Sequence, residues 1–404
     1  MRIVFFNRFF HPDTSATSQI LSDLAFHLAR RGHEVHAVTS RVPGATSNLE
    51  TTRGVVIHRV ADASAGPHSL PARALAYLDF YRGARRAARE LLGPGDIVVA
   101  KTDPPLLSAA LGPIASKRGA KMVAWLQDVF PEVAREYGVP GMGWPLGSAM
   151  AHARNRSLAG ASGIVAIGDR MAERVASLPG VSKDRVHVVH NWADGEAIRP
   201  VDAGNNPLRR SWNLDGKFVV GYSGNLGRVH EFDTLLGAAA ALRDNDAIVF
   251  LFIGRGPRLA EVRDRVERER LGNIRFEAHQ PREALAESLG VPDVHVCVLR
   301  PEFEALVHPS KLYGILAAGR PTLFVGDVGG EAANILSRTG AGLSFRTEDV
   351  AGLRAAIEML QKDSATRRAM GEAARRAFDT HYSMKHALDR WEDILGRIVS
   401  GPAV

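Results

Sequence analysis

Four short stretches hold the residue types that grip phosphates and sugars. "YSGNLGRVHEFDTLL" (222–236) sets Gly224 and Gly227 between a strand-like and a helix-like run, with Arg228 directly after. Free backbone N–H groups in a glycine turn at a helix start cradle a phosphate, although such turns also arise for purely steric reasons. "FIGRGPR" (252–258) ends another strand-like run with two glycines and two arginines, Arg255 among them. "HPSKLYGILAAGRPTLFVG" (308–326) supplies Lys311 near the start of its helix. Arg228, Arg255 and Lys311 converging on one crevice suit a diphosphate, which carries about two negative charges. The alternative is a solvated cluster of cations at strand ends. "GDVGGEAANIL" (326–336) adds a further glycine turn, with Gly330 ahead of Glu331. Glu331 either accepts hydroxyls of a sugar or ribose or complements the helix dipole.

Asp128 follows the apolar run "KMVAWLQ". It either orients an acceptor hydroxyl or the donor sugar, or caps the next short helix. His11 and Ser15 lie in the Ser/Thr-rich loop "FFHPDTSATSQ". They either hydrogen-bond an acceptor sugar or belong to a polar helix start. Asp244 and Asp246 form an Asp-x-Asp pair ahead of a strand, at the wrong end of a sheet for metal-dependent transfer, and read as a surface turn. No His/Cys cluster has metal-ligand spacing, so no metal is expected. The single cysteine, Cys297, sits in "DVHVCVL" and reads as a buried structural thiol in a reducing cytoplasm.

These residues need strands to aim them. Strand-like runs fall at 2–6, 33–39, 54–60, 96–100, 121–127, 163–168 and 185–191, and again at 217–224, 247–254, 274–278, 294–299, 321–326 and 341–345, with helical patterns between most of them. Continuous Val/Ile runs alternating with helices predict parallel strands covered on both faces. The pattern lapses in "PVDAGNNPLRRSWNLDGK" (200–217). The fold class expected is therefore α/β, as two tandem doubly wound (Rossmann-like) domains. They span 1–205 and 206–380, with a C-terminal helix over 381–404 packing back toward the first domain. In such sheets ligands lie outside the carboxyl ends of the strands, and two sheets facing each other make one cleft.

The chain has 404 residues, 45% hydrophobic and 24% charged, as in a soluble protein of two domains. It contains no run of about 18 uncharged apolar residues to span a membrane. A net charge of +7 favours nucleic acid, anionic lipid or phosphorylated small molecules. No nucleic-acid-binding motif accompanies it. The stretch 70–92 combines Leu75, Tyr77, Leu78, Phe80 and Tyr81 with five arginines. It reads as a packed helix with a solvated basic face or as a helix lying on an anionic membrane.

"SGNLG", "IGRGP", "HPSKLYGILAAGRP" and "GDVGGE", in this order and spacing, resemble the retaining glycosyltransferases of family four, which have the GT-B fold. Within that family they are similar to the bacterial polysaccharide and lipid-linked-sugar transferases. "LAFHLARRGHEVHAVTS", "VAWLQDVFPE" and "VVHNWAD" extend the resemblance over the first domain. The resemblance implies a nucleotide-sugar donor, a UDP-sugar first among them, held by the second domain on Gly224, Asn225, Gly227, Arg255, Ser310, Leu312, Gly330 and Glu331. It implies a sugar or lipid-linked acceptor on the first domain, near His11 and Ser15. It implies retention, with Asp128, Lys311 and Arg228 as catalytic residues and with neither a metal nor another cofactor. The protein is expected in the cytoplasm, also at the inner face of the membrane. Departures are visible. Asn225 and His230 stand where the family carries Arg and Lys. Leu306 and Gly314 stand where it carries two glutamates, so Glu331 or Glu304 must supply the carboxylate that holds ribose. The competing readings are a sugar-nucleotide epimerase or hydrolase on the same fold and an inactive nucleotide-sugar-binding subunit.

Overall fold

A computed structural model describes residues 1–42, 47–62 and 70–400. The last four residues of the expected C-terminal segment lie outside the described residues. The chain forms two compact units, 1–190 joined by the segment from Leu388 onward, and Asn191–Ala387.

In the first unit the described strands are β1 (Arg2–Phe6), β2 (Glu34–Arg41), β3 (Leu49–Thr52), β4 (Val55–Asp62), β5 (Ile97–Ala100), β6 (Lys121–Leu126), β7 (Gly163–Ala166) and β8 (Val186–Val188). They form one sheet in the order β3-β4-β2-β1-β5-β6-β7-β8. All pairs are parallel except β3 with β4. "LETT" escaped prediction because it is a polar edge strand with no apolar run. Helix α1 (Ala16–Arg30) follows β1 and buries Ile20, Leu21, Leu24 and Leu28 on one face, as their spacing requires. Helices α2 (Leu70–Leu91), α3 (Leu107–Lys117), α4 (Glu132–Glu136), α5 (Leu146–Ala159) and α6 (Asp169–Ala176) complete the alternation.

The second unit holds α7 (Pro207–Ser211), β9 (Phe218–Ser223), α8 (Asp233–Ala241), β10 (Ile248–Ile253), α9 (Leu259–Glu269), β11 (Ile274–Glu277), α10 (Leu285–Gly290), β12 (Val294–Val298), α11 (Lys311–Ala317), β13 (Thr322–Val325), α12 (Glu331–Thr339), β14 (Gly342–Phe345), α13 (Val350–Lys362) and α14 (Ser364–Ala377). Its six strands are all parallel, in the order β11-β10-β9-β12-β13-β14. The strand order reverses between β9 and β12. In a doubly wound sheet that reversal is where a ligand crevice forms. Cys297 in β12 is fully buried, and burial pushes its thiol up to about 11.

The polar stretch near 205 is not a linker. Asn206 is fully buried; its side chain accepts from the N–H groups of Leu208 and Arg209 and donates to the Glu287 carbonyl. Arg209, also buried, binds the Val291 carbonyl at 2.9 Å and pairs with Asp293. Ahead of them, Arg320 donates to the Val201 carbonyl at 2.7 Å and Arg375 to the Ile198 carbonyl at 2.9 Å, so the whole stretch belongs to the second unit and the units divide at His190/Asn191 rather than at 205/206. The final helix α15 (Met384–Ser400) returns to the first unit from Leu388 onward. There Trp391 is fully buried with its ring 4.6 Å from that of Trp125.

Candidate active site

The carboxyl end of β9 runs into Gly224, Asn225, Leu226 and Gly227, and the carboxyl end of β10 into Gly254, Arg255 and Gly256. These two loops lie against each other. Leu226 donates to the Arg255 carbonyl at 2.9 Å and Arg258 to the Leu226 carbonyl at 3.1 Å. A Cβ on Gly254 would stand 2.0 Å from the Gly224 oxygen, and one on Gly256 2.5 Å from the Leu226 nitrogen. Both glycines are there for close approach of backbone to backbone, and both have positive φ.

Lys311 opens α11 and is partly buried. Its Nζ donates to the Tyr222 hydroxyl and lies 3.8 Å from the Tyr222 ring centroid. That hydroxyl donates in turn to the Asn225 carbonyl at 2.8 Å. Lys311 is thus tied through Tyr222 to the first glycine turn. Among the described residues no carboxylate pairs with it. Burial lowers its pKa to about 8. Arg228 and Arg255 are exposed on the same two loops, and neither has an ion-pair partner among the described residues. His230 is buried, and its Nδ1 accepts from the Gly227 N–H at 2.9 Å. Burial, with Lys311 and Arg258 nearby, keeps it neutral. His230, which stands where the family carries Lys, thus holds a glycine-turn amide, whereas Tyr222 is a part of the site that the sequence reading missed; a tyrosine two residues before Gly224 was the available signal.

The expected cradle of free amides is narrower than the glycines suggest. The N–H of Gly224 is taken by the Ile253 carbonyl, that of Leu226 by Arg255 and that of Gly227 by His230. Among the described residues, the N–H groups of Asn225, Arg228 and Val229 make no hydrogen bond. Leu312 departs from expectation: its side chain is fully buried and its amide donates to the Pro309 carbonyl at 3.0 Å, so it offers nothing to a ligand. Ser310 is partly buried at the N-cap of α11, without a side-chain cap bond.

The Gly330 turn is closed by Asp327 and by Glu304 from the loop after β12. Glu304 Oε1 accepts from the Glu331 N–H at 2.9 Å, Asp327 Oδ1 from the Gly329 N–H at 2.9 Å, and the Asp327 carbonyl from the Gly330 N–H at 3.0 Å. Gly330 makes room for Glu304, because a Cβ there would lie 2.5 Å from Glu304 Oε2. Glu304, not Glu331, therefore satisfies the start of α12, and Glu331 is itself buried. At the positions of the missing glutamates, Leu306 is buried, and a Cβ on Gly314 would meet Leu289 Cδ1 at 3.3 Å.

In the first unit, Asp128 follows β6 without capping a helix, since α4 starts from Pro131. Burial raises its pKa to about 7 against the Thr102 hydroxyl, which lowers it, with Asp103 adding to the rise. The His11 ring packs edge-on to Phe26 at 5.5 Å, and its backbone N–H donates to Ser22 Oγ. Ser15 is held by Asp13, which accepts from both its N–H and its hydroxyl. Asp244 and Asp246 are exposed in the turn before β10, the surface turn expected.

Two family signatures match in tandem: Glycosyltransferase Family 4 over residues 18–196 and Glycosyl transferases group 1 over 205–377. The probable glycosyltransferase WbjE of Pseudomonas aeruginosa is 26% identical over 304 residues, 74% of this chain and 73% of that protein. The putative colanic acid biosynthesis glycosyl transferase WcaI of Escherichia coli is 28% identical over 276 residues, 66% of each chain. The crystal structure of Anabaena Alr3699/HepE in complex with UDP-glucose superposes with a TM-score of 0.72 at 16% identity, covering 99% of this chain and 100% of that one.

Proposed function

The chain belongs to the family 4 glycosyltransferases with the GT-B fold, and from that premise we propose that it moves a sugar from a UDP-sugar to a sugar or lipid-linked acceptor with retention. The carrying observation is the uncompensated positive charge at the β9/β12 switch point: Lys311 held on Tyr222, with Arg228 and Arg255 beside open amides. A departing nucleoside diphosphate gathers negative charge on its β-phosphate. A preorganised cation and N–H groups aimed there lower the barrier electrostatically. Such a mechanism asks for no protein nucleophile, and the cations stand in for a metal. HepE with UDP-glucose supports the choice of uridine, and the name of WcaI supports a role in cell-surface polysaccharide. Glu304 is the carboxylate offered for the ribose hydroxyls.

A thermal-shift panel of UDP, GDP, ADP and dTDP tests the reading. At 100 times its dissociation constant, the right nucleotide adds about 2.7 kcal/mol of stability. No stabilisation by any of the four rejects the proposed site. Transfer in the presence of EDTA tests independence from metal, and NMR of the product's anomeric proton tests retention. Exposed Leu75 and Leu78 on α2, at 67% and 50%, stand among exposed arginines. They support docking on an anionic membrane, which co-sedimentation with phosphatidylglycerol liposomes at low and moderate salt checks.

A further inference from the structure

The loop between α4 and α5 turns its apolar side chains outward. Trp144 is 87% exposed, Leu146 47% and Tyr137 37%, and Pro140 and Pro145 are exposed with them. Trp125, Trp192 and Trp391 are buried and Trp212 half-buried, so Trp144 is the exposed tryptophan of the five. The sequence sets this stretch apart. From 137 to 168 it has no Asp or Glu, and from 137 to 153 no Lys or Arg either. Between 138 and 151 the only polar side chains are Ser148 and the Trp144 indole.

The loop is firmly built. Gly138 donates to the Arg135 carbonyl at 2.8 Å, Val139 to that of Ala134 at 3.0 Å, Met142 to that of Val139 at 3.2 Å and Gly147 to that of Gly143 at 2.7 Å. A Cβ on Gly147 would lie 2.1 Å from the Met142 oxygen, so the loop doubles back on the first turn of α5 with Trp144 between the two contacts. These bonds satisfy amides within the loop, and Pro140 and Pro145 bring none. Both lower the cost of taking this backbone out of water.

Its place in the fold matters too. α5 leads to the start of β7 and α2 to the start of β5, both parallel strands, so the first turns of the two helices stand at the carboxyl end of the sheet. α3 packs against both helices. Trp144 and Leu146 therefore share one end of the first unit with the exposed Leu75 and Leu78, and the exposed stripe of α2 continues through Arg82, Arg85, Arg86 and Arg89. Resting on the membrane reading of α2, we propose that the 137–146 loop is the apolar wedge of that contact. Trp144 and Leu146 enter the headgroup boundary of an anionic bilayer while the α2 arginines meet its surface charge. Tryptophan suits that boundary, being apolar in the ring and able to donate from its N–H. A sugar chain would ask for polar side chains around the ring. A chain of net charge +7 is repelled by its own copies and drawn to anionic lipid.

The test uses the full chain and phosphatidylglycerol vesicles whose acyl chains carry bromine near the headgroup. Binding is read by co-sedimentation and insertion by quenching of tryptophan emission. Wild-type protein is expected in the pellet, with its emission quenched and shifted to the blue. Trp144→Phe keeps binding within about threefold and loses the quenching. Trp144→Ala raises the lipid concentration for half-binding by about tenfold. Wild-type protein left in the supernatant overturns the membrane reading and the wedge together. Sedimentation with unquenched tryptophan, quenching that persists in Trp144→Phe, or wild-type binding by Trp144→Ala overturns the wedge alone. A lipid-free dimer that Trp144→Ala converts to monomer overturns it in favour of a second copy as the occupant.

Discussion

Lys311 is a half-buried cation with no carboxylate partner among the described residues. Its free pKa of about 8 lies below the ordinary value of 10.5. Between those values the unfolded chain holds a proton that the folded one does not, so stability rises with pH across that window. A bound diphosphate restores the charge, so binding takes up a proton. Nucleotide affinity should be full below about pH 8 and fall by up to about tenfold per pH unit above it. Calorimetric titration with UDP between pH 7 and 9.5 checks this; a flat profile removes Lys311 from the site. Lys311→Met should abolish the slope and weaken UDP by about tenfold or more. The same change should raise the urea midpoint of the nucleotide-free protein at pH 7, because it removes an unpaired charge. Tyr222→Phe deletes the hydroxyl between Lys311 and Asn225. It should cost about 1 kcal/mol of UDP affinity and move the alkaline fall to lower pH, read in the same titration.

At the scale of elements, the site is made by contact between the loops after β9 and β10. Gly254→Ala would drive a methyl group into the Gly224 carbonyl. It is expected to destabilise the second unit by about 2 kcal/mol or more and to weaken UDP, read by urea unfolding and nucleotide titration. The turn before α12 uses Glu304 as its cap, so Glu304→Gln tests two roles at once. A glutamine keeps an acceptor for the Glu331 N–H but loses the charge. Stability should fall by less than about 1 kcal/mol, while UDP should weaken more than inorganic diphosphate, because only UDP carries a ribose.

At the scale of the whole chain, the last helix belongs to the first unit. Trp391, Ile394 and Leu395 are buried there, and Lys121 Nζ donates to the Ile398 carbonyl at 2.7 Å at the helix end. Trp391→Ala removes a fully buried indole packed on Trp125 and should cost about 3–5 kcal/mol. The loss should appear as an early urea transition of the first unit, with UDP affinity of the second unit unchanged before it. Coincident loss of UDP binding would mean that the two units unfold as one.

Alternation of apolar runs and helices by itself determined the α/β class, the parallel strands and the tandem arrangement, because burial on both faces of a parallel strand demands an unbroken Val/Ile run. The cations after β9 and β10 and at the start of α11 were legible for a related reason: strand ends are predictable, and ligands gather at their carboxyl ends. Tertiary structure decided the rest. The boundary near His190 depends on the carbonyls of Val201 and Ile198 finding Arg320 and Arg375, 119 and 177 residues away. Tyr222 joins the site only because α11 brings Lys311 onto its ring. Glycine turns that look alike in sequence differ in whether their amides are free, which rests on acceptors such as Glu304 and His230 arriving from outside the turn. Arg8 and Asp103 pair because β1 and β5 are neighbours in the sheet. Spacing along the chain encodes periodicity; it does not encode which distant group satisfies a given hydrogen bond.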